Sequence, residues 1–197
     1  MSLPLRPPLA PQLARSAREL PVGEQWRYEP KLDGFRAIVF VDGDQTQIQS
    51  RGGKELQRYF PELRFPDRPC VLDGEIIIED AGGRQNCEAL QSRIHPAASR
   101  VALLADEIPA TFIAFDLLAV DDEPLLVEPF ARRRERLELF VSDPIALSPL
   151  VTTADEAAAW LETAEGVIAK DADAPYLPGG RRGMVKIKRL RTIDCVV

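Results

Sequence analysis

Apolar and polar residues alternate with a period of two through much of the first half of the chain, and that pattern predicts β-strands. Trp26–Pro30 and Phe35–Val41 read as strands on either side of a charged break. Asp42-Gly43-Asp44 reads as a hairpin turn, from which Gln45–Ser50 returns with alternating side chains. Val71–Ile78 is a further strand, interrupted by Asp73-Gly74-Glu75, and Thr111–Val120 reads as a buried one. Helical spacing takes over elsewhere. Cys87–Ile94 predicts a short helix. Glu128–Phe140 predicts an amphipathic one, with Phe130, Leu137 and Phe140 on one face and Arg132, Arg133 and Arg136 turned away. Ala154–Thr163 is a second amphipathic helix, and Gly166–Lys170 and Met184–Lys188 resume short strands. Residues 1–23 are rich in proline and predict an irregular arm lying on a domain that runs from 24 to 197. Hairpin-like strands mixed with helices favour α+β over a regular βαβ wind.

Composition narrows the class. At 197 residues the chain can form one domain or two small lobes around a cleft. With 25 basic and 31 acidic residues the net charge is −6, which argues against a protein that coats nucleic acid indiscriminately. A local basic groove is compatible with that balance, and Arg181, Arg182, Lys186, Lys188, Arg189 and Arg191 supply one near the C-terminus. Cys70, Cys87 and Cys195 are too few and too scattered for a disulfide framework or a zinc site, so reduced thiols in the cytoplasm are expected. His95 is the lone histidine, which makes imidazole relays poor hypotheses. The N-terminus lacks a signal-peptide core, and the apolar run Ile108–Val120 is too short to span a bilayer.

The chemistry sits in short charged clusters. Neither a G-x-x-x-x-G-K-[ST] loop nor a G-x-G-x-x-G turn is present, so any nucleotide must be held by side chains from separate strands. Lys31-Leu32-Asp33-Gly34-Phe35-Arg36 puts a lysine beside an acceptor, a flexible glycine and an anion-holding arginine, an arrangement suited to attack on phosphorus. Ser50-Arg51-Gly52-Gly53-Lys54 offers cations for a phosphate or simply a solvated turn. Glu75 and Glu165 are either metal-binding acids or strand-end ion pairs. Phe115 is either a base-stacking platform or core, and Lys186 and Lys188 share one strand face. Taken together, a nucleophilic lysine, two carboxylates, an aromatic ring and several cations are the parts of lysine-dependent nucleotidyl transfer, with magnesium the fitting ion.

The order K-x-D-G-x-R, S-R-G-G-K, D-G-E, F-D-L-L, E-G-V-I-A-K and V-K-I-K resembles the adenylation domain of ATP-dependent DNA ligases, nearest to the bacterial C and D types, over Pro7–Val197. The resemblance implies the fold of the DNA ligase and capping-enzyme catalytic domain, ATP-grasp-like, with two antiparallel-sheet lobes, flanking helices and a nucleotide groove between them. It implies that Lys31 attacks the α-phosphorus of ATP and carries AMP. Glu29 would accept from the adenine amino group, Arg36 would touch ribose or phosphates, and Arg51 the phosphates of nucleotide or nick. Glu75 and Glu165 would serve ribose and a magnesium or manganese ion, Phe115 would stack on adenine, and Lys186 and Lys188 would help expel pyrophosphate. AMP would then pass to a 5′-phosphate at a nick in duplex DNA during repair. The implied protein is a cytoplasmic, nucleoid-associated monomer.

Two departures qualify this. Met184 stands where many relatives carry tryptophan, and the neighbouring register leaves Arg181 and Arg182 as alternatives, with Arg182 favoured to face the nucleotide. The chain ends at Asp194-Cys195-Val196-Val197, where relatives continue into an OB-fold domain, so a catalytic domain without that DNA-gripping partner is expected. RNA ligases and capping guanylyltransferases share the reaction class, and a non-catalytic nucleic-acid-binding module is the alternative of a different kind.

Overall fold

A computed structural model of the chain describes residues 3–95, 97–142 and 144–189; Arg191 and Cys195 lie outside the described residues. In chain order the strands are β1 (Arg15–Ala17), β2 (Trp26–Pro30), β3 (Phe35–Asp42), β4 (Gln45–Ser50), β5 (Cys70–Ile77), β6 (Thr111–Val120), β7 (Glu123–Pro124), β8 (Ala146–Leu147), β9 (Gly166–Asp171) and β10 (Met184–Lys188). The helices are α1 (Cys87–Ser92), α2 (Ala98–Glu107), α3 (Phe130–Phe140), α4 (Ala154–Ala158) and α5 (Trp160–Thr163). The architecture is α+β.

The larger sheet runs β4-β3-β5-β6-β7 with antiparallel neighbours, and β8 adds to β6 in parallel. The smaller runs β1-β10-β9-β2. Alternation assigns each face of the larger sheet. Ala37, Val39, Leu72, Ile76, Phe112 and Ala114 point to the back, where Leu90 of α1 and Leu137 of α3 close over them. On the front, Ile38, Phe40, Val71 and Leu118 are covered by Leu3, Leu5 and Leu9 of the N-terminal arm and by Tyr176. The rest of that face carries Arg36, Asp73 and Glu75 and looks into a cleft. Behind the smaller sheet, Tyr28, Val167 and Ala169 pack on Ala157, Trp160 and Leu161 of α4 and α5.

Three elements depart from the sequence pattern. The arm is ordered by pairing: Arg15–Ala17 runs parallel to Val185–Ile187 and covers what would otherwise be an open strand edge. Helix α2 has no side-chain cap at Ala97, so the usual starting signal is missing. The helix expected over 154–163 is broken at Ala159, although Thr153 caps its start, Oγ1 accepting from Glu156 N–H at 3.3 Å and donating to Glu156 Oε2 at 2.6 Å.

The most consequential departure is on α3. Residues 130, 133, 134 and 137 form its buried stripe, and two of them are arginines. Arg133, expected to face outward, is 2% exposed. Its guanidinium grips both oxygens of Asp116 at 2.7 and 3.0 Å. Asp116 itself lies in β6 and is 2% exposed, so neither charge could remain there alone. Truncation to Met removes one partner and strands the other. The Arg133→Met variant is therefore expected to lose about 3–5 kcal/mol in urea unfolding, with Arg133→Met/Asp116→Asn recovering a large part of it.

Candidate active site

The cleft is built by cross-strand rows. On the smaller sheet Glu29 faces Ile168, and Ile168 faces Lys186, so one row spans β2, β9 and β10. Lys170 and Met184 form the next row. On the larger sheet Arg36 of β3 lies opposite Glu75 of β5. A register shift between Asp73 and Gly74 leaves Phe115 as an extra residue in β6, a bulge that turns its ring toward the same space. These side chains, with Pro11–Ala14 of the arm, enclose a cavity of about 180 Å³.

Lys31 stands just past the end of β2. Its N–H donates to Gly166 O at 2.9 Å, and its Nζ lies 3.7 Å from Glu165 Oε2. Two glycines let the chain come this close. Gly166 has φ +144°, and a Cβ there would fall 2.1 Å from Ile187 O. A Cβ at Gly34 would fall 2.2 Å from Ile76 O, so this glycine serves contact with β5 rather than a turn or the approach of a ligand.

Of the residues expected in the site, Glu29, Lys31, Arg36, Arg51, Glu75, Phe115 and Lys186 line the one cavity. Glu165 and Lys188 instead border a neighbouring cleft of about 690 Å³ with Asp33, Arg84 and Arg189. Arg181 lines the cavity where Arg182 was favoured. Arg182 is exposed, and its carbonyl accepts from Gln12 Nε2 at 2.7 Å.

The charges are arranged in coupled sets. Glu29 is 2% exposed, its Oε2 2.7 Å from Lys170 Nζ and its Oε1 3.2 Å from Arg134 Nη1. Burial pushes its carboxyl upward, while Lys170 and Arg134 push it back. Arg36 binds both oxygens of Asp73 at 2.6 and 2.7 Å. Although burial opposes its charge, Asp73 outweighs that and holds the guanidinium more firmly protonated than usual. Tyr176 also donates to Asp73 at 2.7 Å, and Gln12 N–H donates to Tyr176 at 3.0 Å, which ties the arm to the cavity wall. The Phe115 ring has the Arg36 guanidinium 4.4 Å from its centroid and Lys170 Nζ 4.5 Å away. Burial raises Glu75 to about 7 against the pull of Arg36 and Lys31. Lys186 is pushed down by desolvation and then by Lys188, Arg51, Lys31 and Arg181.

A family model described as the ATP dependent DNA ligase domain matches residues 7–188. The chain belongs to this family. It is 49% identical over 212 residues to DNA ligase C1 of Mycolicibacterium smegmatis, a match that takes in all of this chain and 61% of that protein. It is 46% identical over 215 residues to DNA ligase C of Mycobacterium tuberculosis, covering 59% of that protein. The chain thus spans about three fifths of the length of these curated relatives. Among solved structures, a mycobacterial DNA ligase D complexed with ATP and MES matches with a TM-score of 0.79 at 30% identity, over 93% of this chain and 61% of that one.

Several residues of this ligase-family cleft were given no role from sequence. Lys170 follows from alternation, two places beyond Ile168 in β9. Arg134 follows from helical spacing, four residues after Phe130 and three before Leu137. Gln12 and Tyr176 carried no local signal, because their bonds to each other and to Asp73 join positions 103 to 164 residues apart.

Glu75 and Glu165 suit a magnesium ion. Both act on Lys31, although Glu75 lines the cavity and Glu165 the neighbouring cleft. Few protein oxygens, with phosphate and water completing the shell, is the arrangement that ion accepts. No helix among the described residues is long and apolar enough to cross a membrane.

The raised Glu75 has a consequence for stability. Ionising it in the fold is harder than in the unfolded chain, so its contribution is complete below about pH 4.5 and is lost as pH rises through about 7. Glu75→Gln is expected to exceed the parent by about 1–3 kcal/mol at pH 8, discounted for partial solvent screening. That gain shrinks toward pH 4, as urea unfolding at the two pH values will show.

Proposed function

We propose that this cleft joins Lys31 covalently to AMP drawn from ATP, and that the whole protein uses the adduct to seal nicks in duplex DNA. The observation that carries this reading is the placement of Lys31 in one cavity with Arg36, Arg51, Arg181 and Lys186, flanked by two carboxylates. Lys31 Nζ gives its proton to Glu165, 3.7 Å away, and attacks the α-phosphorus. The bond to the bridging oxygen breaks and pyrophosphate leaves. Arg51, Arg181 and Lys186 neutralise the charge that gathers on it. Glu29 accepts from the adenine amino group, Phe115, Ile168 and Met184 offer apolar surface to the base, and Glu75 reaches the ribose. Glu75 and Glu165 would hold a magnesium or manganese ion, which when bound supplies positive charge beside the phosphate oxygens.

AMP then passes to the 5′-phosphate of a nick, and the adjoining 3′-hydroxyl displaces it. Arg182, Lys188 and Arg189 are exposed, and cations of this kind suit a polyanionic backbone. In the whole protein, an OB-fold domain supplies further grip on DNA. The reading places the protein in the cytoplasm as a monomer acting in repair.

Intact-mass measurement after incubation with ATP and magnesium is expected to show one added AMP. Lys31→Ala abolishes that adduct while its circular dichroism stays that of the parent. An adduct that persists in the variant removes Lys31 from the role.

A further inference from the structure

Glu29 is held from behind as well as from the cavity. Lys170 reaches it with a single rotatable ammonium that also lies 4.5 and 4.6 Å from the Phe115 and Phe130 ring centroids. Arg134 reaches it from α3, 105 residues away in sequence. Three separate nitrogens of that guanidinium are engaged: Nη1 on Glu29 Oε1 at 3.2 Å, Nε on Glu138 Oε1 at 2.6 Å and Nη2 on Ser148 O at 2.8 Å. A planar fork pinned on three sides cannot turn away, whereas an ammonium can. Asp116 is the other acid acting on Glu29, and Arg133 already neutralises it. Arg134 is absent from the cavity lining; Glu29 is part of it.

The state of Glu29 determines what it can read. As a carboxylate it only accepts hydrogen bonds, and protonated it also donates. At corresponding positions adenine presents an amino donor and guanine a carbonyl acceptor. We propose that Arg134 is a positioning residue that keeps Glu29 charged and aimed into the cavity, so that the site takes adenine nucleotides and refuses guanine ones. This rests on the cavity being the nucleotide site.

Equilibrium binding of ATP and GTP, each with magnesium, tests it through competition against a fluorescent ATP analogue between pH 6 and 8. The parent should prefer ATP at both pH values. R134M should lower the ATP-to-GTP preference by about tenfold or more, chiefly by weakening ATP, and more severely at pH 6 than at pH 8. R134K should restore most of it. E29Q should lose the preference too, and R134M added to E29Q should change it no further. If R134M does not fold, E138A carries the test, because it releases one edge of the guanidinium at a half-exposed position. The expected loss there is about threefold.

A preference that survives R134M or E138A, a loss that falls equally on both nucleotides, or a further loss in the E29Q background each overturns the proposal while leaving the cavity's assignment intact. A parent that binds both alike likewise overturns the proposal alone, and one that binds neither nucleotide overturns that assignment and the proposal together.

Discussion

The two sheets of this domain meet around charge that has been taken out of water. Glu29 and Asp116 are both 2% exposed, one from each sheet, and α3 answers them with adjacent arginines. An isolated ion at such a depth is unfavourable by several kcal/mol, so the acids and their cations stand or fall together. The position of α3, and through it the relation of the sheets, follows from that mutual need. A purely apolar seam would hold the sheets as well, but it would leave no polar group with which to read a ligand.

The cleft owes its character to the same arrangement. Alternation sends every second residue of β3, β5, β9 and β10 toward it, and a bulge adds Phe115. The far end of the larger sheet's front face is sealed by the arm's leucines, which confines the open surface to the charged end. Gln12 then links arm, Tyr176, Asp73 and Arg36 in one chain of hydrogen bonds. A segment that looks like a tether is thus a wall of the site.

The cleft sets groups of opposite sign under opposing pressures. Desolvation and neighbouring cations push Lys186 down, while burial pushes Glu75 up to about 7. A polyanion beside Lys186 and a cation beside Glu75 would relieve each of them.

The strands and the amphipathic helix over 128–140 were legible in the chain because their patterns are local: Trp26–Pro30, Gln45–Ser50 and Thr111–Val120 appear where the sequence placed strands. The lysine and its ordered companions were legible because motif spacing survives in sequence, and seven of them do share one cavity. What no window of residues could settle is which charges are buried, since burial depends on what arrives from the other side. Arg133 looks like part of a solvated helix face until Asp116 is brought opposite it. The presence of Arg181 rather than Arg182 in the cavity lining, the separation of Lys188 from Lys186, and the bonds made by Gln12 were decided in the same way. Each is set by contacts among segments far apart in the chain, which only the folded arrangement brings within hydrogen-bonding distance.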